Sequence, residues 1–502
     1  MGEHNLARLA EQSFERHGDY SSLFFEGCWY SSGSLFEQAR RLAQGLVELG
    51  VEPGDRVVVL MSNCPEAGIA YSAVWRAGGV LTPAIFLLSR DELRHVLADS
   101  EARAVITTPD LADAVRDARE GLDTLRWLVT AGDAREDEIA LSELEQAEPG
   151  EIVPRDDGEL AALMYTGGTT GRAKGVMLSH EALWRAGSAG HEASYLPGVN
   201  RALVTLPLSH AYGLLVTAAA LHAREAGTAA LLRWFNPTLF LELVQEHGVQ
   251  ISAVVPSMIQ ALLARPLDDY DLSSLRYLVC GAAPLAPELV RELEERLPRV
   301  ELREGYGLTE TCAFVSTSPP GRCRLGSVGL PGPGVDVRIV DDRDEQLPRD
   351  EVGEICCRSP FVMLGYWREP KLTAEVTRGG WLHTGDLGYL DHDGYLFVVD
   401  RKKDLIIRGG FNVFPRDVED ALLEHPAVAA AGVVGRPDEA HGEEVVAFVT
   451  LRAGHDLAPA DLVAYAKERI GGYKYPREIR IVPYVPLTPV GKVDRKALRA
   501  MV

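Results

Sequence analysis

The sequence predicts an α/β protein: a large N-terminal part made of two α/β subdomains with parallel-rich sheets plus a β-rich subdomain, followed by a small α+β domain. Three observations predict it. From Leu6 to about Gly321, apolar stretches of strand length alternate with stretches of helical periodicity, the rhythm of parallel sheets covered by helices. Past Gly321, short strand-like runs are split by turns. The charged segment Asp400-Arg401-Lys402-Lys403-Asp404 then precedes a unit of about a hundred residues with mixed signals, a normal domain size.

The elements follow in order. Ser34 to Leu49 carries Leu35, Ala39, Leu42, Leu46 and Leu49 at helical spacing and ends at Gly50. Arg56 to Met61 is a nearly continuous apolar strand, Pro65 to Ala77 a second helix, and Val80-Leu81 and Ala104 to Thr107 further strands. Leu160 to Met164 reads as a short buried strand. Arg201 to Leu206, Ile251 to Val255 and Arg276 to Cys280 repeat the strand pattern, with helices at Pro237 to His247 and Pro256 to Ala264. Two α/β halves are expected, without a close internal repeat. Leu214 to Leu232, the longest apolar stretch, is interrupted by His222, Arg224 and Glu225; it reads as a core helix and connection, not a membrane span.

In the β-rich part the expected strands are Val335 to Val340, Gly353 to Arg358 and Gly394 to Val399, with Asp393-Gly394 as a hairpin turn. The run Asp391-His392-Asp393-Gly394 lacks the further acidic positions of a calcium loop. In the last unit, Pro415 to Leu423 and Pro459 to Ile470 are helices, and Val428 to Val434, Val445 to Leu451 and Ile479 to Val482 are strands.

Composition narrows the function. A formal net charge of −22 over 502 residues argues against nucleic acid, whose phosphates need clustered Lys and Arg. An anionic substrate must therefore meet a local positive site. The seven cysteines show no Cys-x-x-Cys and no zinc spacing, which fits free thiols in a reducing compartment. Met1-Gly2-Glu3-His4-Asn5 begins without an apolar signal core or the Ser or Thr of a myristoylation site, so a cytoplasmic location is expected. The oligomeric state is not legible.

Tyr165-Thr166-Gly167-Gly168-Thr169-Thr170-Gly171-Arg172-Ala173-Lys174-Gly175 carries the chemistry. Its glycines let backbone approach an anion, its threonine hydroxyls can bond phosphate oxygens, and Lys174 supplies charge. It is not a Walker A loop, because Ala173 and Gly175 flank Lys174 where that motif needs Gly before and Ser or Thr after. The stretch instead resembles the signature of the adenylate-forming superfamily, which holds acyl-CoA synthetases, luciferases and the adenylation domains of peptide synthetases. It departs from the usual form at Gly167, where a serine is common, and at Ala173, where a proline is.

Further blocks resemble the same superfamily in its order across almost the whole chain. The resemblance implies an adenylation domain over residues 1–400, a hinge at 401–403 with Lys403 as pivot, and a mobile C-terminal domain over 404–502. Pro207-Leu208-Ser209-His210-Ala211-Tyr212-Gly213 is similar to a block lining the acyl pocket, which would include His210, Tyr212, Gly213, Val255 and Gly281. Gly281-Ala282-Ala283 would lie against adenine and acyl chain, and Gly305-Tyr306-Gly307-Leu308-Thr309-Glu310 would hold ATP. There Tyr306 is expected near adenine, Thr309 near phosphate, and Glu310 on Mg²⁺, a cation that prefers carboxylate and phosphate oxygens. Trp381-Leu382-His383-Thr384-Gly385-Asp386 resembles a ribose block, with Arg401 as the cationic partner of Asp386. Pro489-Val490-Gly491-Lys492 resembles the motif whose lysine is essential for adenylation.

The implied reaction uses ATP, Mg²⁺ and CoA. A carboxylate attacks the α-phosphate, giving acyl-AMP and pyrophosphate; the small domain then turns to present Gly409, Gly410 and Lys474 to CoA. Thr166, Gly167, Gly168, Thr169, Thr170, Lys174, Thr309, Glu310, His210 and Lys492 are the expected phosphate-binding and catalytic set. A fatty or aromatic acid is expected from the apolar pocket candidates. Two other readings stay open: loading of a carrier-protein phosphopantetheine, and a catalytically degenerate nucleotide-binding protein.

Overall fold

The computed structural model describes residues 1–166, 172–283, 285–488 and 492–502; among these, four sheets form, of nine, eight, four and five strands. At the centre of the eight-stranded sheet, Arg56–Leu60 runs parallel to both Val80–Ala84 and Ala104–Thr107. Val57, Val58, Val59 and Leu60 are all buried, because a strand covered by helices on both faces needs apolar side chains at consecutive positions. Helix Ser32–Leu49 starts where Ser31 accepts from the Ser34 amide and ends at left-handed Gly50, φ 102°. At the sheet's far side Leu160–Thr166 pairs antiparallel with Lys174–Ser179, which in turn pairs with Gly365–Tyr366.

In the nine-stranded sheet, Thr228–Leu231, Arg201–Val204, Ile251–Val254, Tyr277–Cys280 and Glu301–Tyr306 are consecutive parallel neighbours. Beyond Thr228–Leu231 lies an N-terminal hairpin, Ser21–Phe25 and Cys28–Ser31. The two α/β units are therefore interleaved rather than sequential: a segment that precedes the first sheet completes the second. A five-residue run with no long periodicity hid this from the sequence. The stretch Leu214 to Leu232 also resolves differently. It is helix Ala211–Leu221, a connection, and then strand Thr228–Leu231. No helix among the described residues is long and apolar enough to cross a membrane.

The β-rich part is an antiparallel sheet of Asp336–Val340, Gly353–Arg358, Leu382–Leu390 and Leu396–Arg401. The strand Leu382–Leu390 was not anticipated, because Gly385 and Gly388 break its alternation. Cys356 and Cys357 are both buried, so both faces of their strand are covered, and burial pushes each thiol up to about 12. All seven cysteines are free. At the tip of the last hairpin, Arg324 pairs with Asp391 and with Asp393 at 2.7 Å, so a guanidinium occupies the acidic turn.

Residues 406–481 contribute a separate sheet, in which Gly442–Leu451 pairs antiparallel with Val428–Asp438 and parallel with Glu478–Ile481. Its buried side chains form clusters of their own, one including Val433, Val445 and Ile479, the other Val434, Val446 and Phe448 with Leu498 of the C-terminal helix. The large part instead has a core that spans both of its α/β sheets, from Val59 and Leu178 to Leu215 and Phe361.

One buried titratable contact ties the chain's start to this core. The Leu6 amide donates to Nδ1 of fully buried His180 at 3.3 Å. Burial, and then the Arg155 guanidinium, push this imidazole from 6.5 to about 4. Its folded-state value lies below its unfolded one, so the neutral ring stabilises the fold above about pH 6.5 and that stability is lost as pH falls toward 4. The loss is on the order of 3 kcal/mol. Thermal melts from pH 7 to 4 are expected to show the decline, and His180→Asn, which keeps an acceptor but cannot titrate, is expected to flatten that part of it.

Candidate active site

The glycine-rich loop springs from a hairpin whose last described pair is Thr166 opposite Lys174. Gly167, Gly168, Thr169 and Thr170 lie outside the described residues, as do Pro489, Val490 and Gly491. The loop's stems are gripped from outside. Tyr165 Oη donates to Asp99 Oδ2 at 2.7 Å, and His95 Nε2 donates to the Ala173 carbonyl at 2.8 Å. Trp367 completes the bracket: its amide donates to the Gly175 carbonyl at 2.7 Å and its indole N–H to the Asp99 carbonyl at 3.0 Å. The sequence carried no signal for His95 and Asp99, which sit in an ordinary amphipathic helix, Arg90–Asp99.

Strand Glu301–Tyr306 delivers the next block. Tyr306 Oη donates to Asp386 Oδ2 at 2.7 Å, and Arg401 Nε lies 3.1 Å from Asp386 Oδ1. Asp386 and Arg401 face each other across Leu382–Leu390 and Leu396–Arg401, so the sheet register makes the ion pair. Past Tyr306 the chain turns sharply. A Cβ on Gly307 would lie 2.2 Å from Ala313 backbone, which only glycine avoids. The short 3₁₀ turn Thr309–Thr311 is followed by Cys312 and Ala313 at φ 50° and 62°. Glu310 projects from that turn, and its Oε1 accepts from Tyr366 Oη at 2.7 Å. Its Oε2 has no hydrogen-bond partner among the described residues.

Lys492 comes to the same place from the C-terminal unit. Burial and the Arg401 guanidinium push its ammonium below the ordinary lysine value, opposed by the Asp386 and Glu310 carboxylates. Lys403 is lowered by burial and Arg401, and Lys174 adds to that. His210 is pushed to about 4 by burial and then by Lys492; its Nδ1 accepts from the Tyr212 amide at 3.3 Å, capping helix Ala211–Leu221. The structure thus brings Lys174, His210, Glu310, Asp386, Arg401, Lys403 and Lys492 within electrostatic reach of one another. Cations outnumber carboxylates there, in a chain whose overall charge is strongly negative.

The block carrying His210 is held by Asn63, which the sequence reading did not single out. Its amide donates to the Leu206 and Leu232 carbonyls, each at 3.0 Å, while its Oδ1 accepts from the Leu208 amide at 2.8 Å. It stands after strand Arg56–Leu60 and so ties the end of one α/β sheet to two strand ends of the other. The available signal was a polar residue between an apolar strand and the Cys-Pro that starts a helix.

Two of the expected pocket glycines stand close against neighbouring backbone. A Cβ on Gly213 would lie 2.4 Å from the Pro207 carbonyl oxygen, and one on Gly281 would lie 3.0 Å from that of Gly305. Ala282 is held at φ 68° at the end of strand Tyr277–Cys280, a conformation that costs about 1–3 kcal/mol for a non-glycine residue. Tyr212 is half-buried, and Val255 is buried at the start of helix Pro256–Leu263.

At the junction of the two units, Lys402 Nζ lies 2.9 Å from Asp342 and 3.3 Å from Glu354 of the large part. Two residues on, buried Asp404 pairs with Arg499 of the C-terminal unit at 2.6 Å. Across the seam, Asp400 Oδ2 accepts from the Arg416 amide at 3.0 Å, and Arg416 Nη1 donates to the Val398 carbonyl at 2.9 Å. Burial raises Glu304 to about 7 and Asp420 to about 6, with Arg416 opposing both shifts. Gly409 and Gly410 are left-handed, φ 58° and 80°. The Gly409 amide bonds the His441 carbonyl, and Lys474 pairs with Asp417 at 2.6 Å, so their partners lie within the C-terminal unit, away from the Lys492 cluster.

Comparisons with known proteins agree along the chain. Residues 10–367 match the family described as AMP-binding enzyme, and residues 417–492 match the AMP-binding enzyme C-terminal domain. The chain is 39% identical over 490 residues to a feruloyl-CoA synthase of Amycolatopsis sp, covering 96% of this chain and 94% of the relative. It is 34% identical over 527 residues to a long-chain-fatty-acid–CoA ligase of Bacillus subtilis (strain 168), covering 98% and 94%. Its structure is similar to that of the amide bond synthetase McbA from Marinactinospora thermotolerans, with a TM-score of 0.89, 33% identity and 99% of each chain covered.

Asn63→Ala leaves two carbonyls and one amide without their buried partner, each worth about 1–3 kcal/mol. Denaturant unfolding is expected to show a loss of about 3 kcal/mol or more, with KM for the acid rising more than KM for ATP because the His210 block is what loosens.

Proposed function

The chain belongs to the AMP-binding enzyme family, and from that premise we propose which of its residues carry out the ATP-dependent ligation of a carboxylic acid to CoA. The reaction has two steps. A carboxylate oxygen attacks the α-phosphorus of ATP, the bond to the β-phosphate breaks, and acyl-AMP and pyrophosphate form. The CoA thiolate then attacks the acyl carbon, and AMP leaves with the electrons of the carbon–oxygen bond. Adenylation is needed because a carboxylate has only oxide as a leaving group.

The observation that carries the assignment is the approach of Lys492 to Glu310, Asp386 and Arg401. Charge grows on phosphoryl oxygens during the first step, and fixed charges in a site shielded from water stabilise it without reorganising. Lys492 supplies one such charge from the C-terminal unit, and Lys174 with the loop of Thr166 to Thr170 supplies others. Tyr306 and Arg401 hold Asp386 in one orientation, which suits acceptance of hydrogen bonds from ribose hydroxyls. His210, neutral by burial, forms part of the acyl-pocket wall with Tyr212 and Val255. Glu310, with one carboxylate oxygen taken by Tyr366 and the other without a donor among the described residues, fits a Mg²⁺ site of the kind that combines carboxylate and phosphate oxygens. Mg²⁺ held there would neutralise phosphate charge.

For the second step Lys492 must give way to a thiol. Support for rotation comes from the separate cores of the two units and from the pins on each side of Lys403: Lys402 to the large part, Asp404 to the small one. Lys403 is the residue between them whose backbone can turn, and the turn would bring Gly409, Gly410 and Lys474 toward CoA. Use of ATP and CoA supports a cytoplasmic place of work.

Within the fatty and aromatic acids, we favour a hydroxycinnamate-type aromatic acid, on the 39% identity to a feruloyl-CoA synthase across nearly the whole chain. AMP release measured over a panel of ferulate, 4-coumarate, benzoate and C6–C16 fatty acids is expected to be fastest with the first two and to require CoA. Preference for a fatty acid would reject the aromatic assignment; turnover only with an amine or a phosphopantetheinyl carrier would reject CoA as acceptor.

Lys492→Ala is expected to lower ATP–pyrophosphate exchange by ~10²–10³, the effect of losing one preorganised charge. Near-normal exchange would remove Lys492 from the adenylation step. Lys403→Pro is expected to leave exchange intact while abolishing thioester formation; equal loss of both would reject the pivot.

A further inference from the structure

Tyr366 touches two charged groups of the site at once, and the reaction as derived gives it no part. It lies in a two-residue strand paired with Lys174–Ser179, with Tyr366 opposite Val176. Its hydroxyl donates to Glu310 Oε1 at 2.7 Å, and Lys174 Nζ stands 5.6 Å from the centre of its ring. Its backbone is fixed from both sides. The Tyr366 amide donates to Thr373 Oγ1 at 2.9 Å. The next residue, Trp367, is bonded to Gly175 and Asp99 and flanked by the Arg56 and Arg368 guanidinium groups, each 5.5 Å from its ring.

A lysine and a glutamate sharing a half-buried site attract each other strongly, because the low local dielectric magnifies the interaction. Paired directly, each would mask the charge that the other step of the chemistry needs. Among the described residues neither Lys174 nor Glu310 has a salt-bridge partner. Between them stands one side chain that meets each with the part that suits it: a hydroxyl donor for the carboxylate and the electron-rich ring face for the ammonium.

We infer that Tyr366 is a positioning residue that keeps Lys174 and Glu310 apart, leaving the lysine to bind nucleotide phosphate and the outer carboxylate oxygen of Glu310 to bind the nucleotide's divalent cation. The inference rests on the roles proposed above for those two residues.

The test is equilibrium binding of α,β-methylene-ATP by calorimetry, with Mg²⁺ and with EDTA, for the wild type, Tyr366→Phe, Tyr366→Leu and Glu310→Gln. Tyr366→Phe keeps the ring and loses the hydroxyl. It is expected to weaken binding about tenfold with Mg²⁺, the effect of one hydrogen bond to a charged group, and to leave binding in EDTA and the melting temperature unchanged. Tyr366→Leu, which also loses the ring, is expected to weaken binding in both conditions. If Tyr366→Phe binds like the wild type with Mg²⁺ while Glu310→Gln is impaired, the positioning role is overturned and the Glu310 assignment survives. If Tyr366→Phe is equally weakened with and without Mg²⁺, its role is structural and the inference is overturned. If Glu310→Gln binds normally with Mg²⁺, the cation site itself falls, and the inference with it.

Discussion

A buried carboxylate, Asp386, is the fixed point of the site. It accepts a hydrogen bond from Tyr306, pairs with Arg401, and lies in the field of the Lys403 and Lys492 ammonium groups. An isolated buried carboxylate would be unstable. Tyr306 and Arg401 make it tolerable. Because Asp386 and Arg401 are cross-strand neighbours, their geometry follows from the register of one antiparallel pair. The same pair leads directly into the junction between the two units, so Asp386 and that junction share one piece of backbone.

The seam between the units has a different character from either interior. Among the described residues no hydrophobic cluster of buried residues is shared across it; polar groups cross instead, with Arg416 among Glu304, Asp400 and Asp420, and Lys492 in the field of Asp386 and Glu310. An apolar interface would lock the units together, because burial is proportional to area and indifferent to direction. A few directional contacts can be exchanged for others at small net cost. That is what a ligase needs if one domain must show two faces to the same site in turn. Interleaving of the two large sheets, with Asn63 joining their strand ends, has the opposite effect: the large part shares one apolar core between its sheets.

The sharp turn after Tyr306 was legible in the sequence, and Gly307 shows why: its missing Cβ is the space the chain turns through. The strand that carries Asp386 was missed because Gly385 and Gly388 hide its alternation. Gly213 and Gly281 were expected along the acyl pocket; the structure adds that neighbouring backbone stands close where a Cβ would be. His95 and Tyr366 gave no pattern to find, since a lone polar or aromatic residue in a helix or short strand is ordinary in sequence, and Asn63 offered only its place between an apolar strand and a Cys-Pro.

Local chemistry was therefore determined by the chain itself: which segments could cradle phosphate, which lysines and carboxylates were available, the alternation of strands and helices, and the break near residue 400. These depend on residue type and on contacts a few positions apart. Only the tertiary structure decided which charges meet. Tyr306 and Asp386 are 80 residues apart, Tyr366 and Glu310 are 56 apart, and Lys492 enters the field of the Asp386 and Glu310 carboxylates from another domain. Such meetings are set by strand register and by how two separately folded units dock, and no short-range pattern of side chains encodes either.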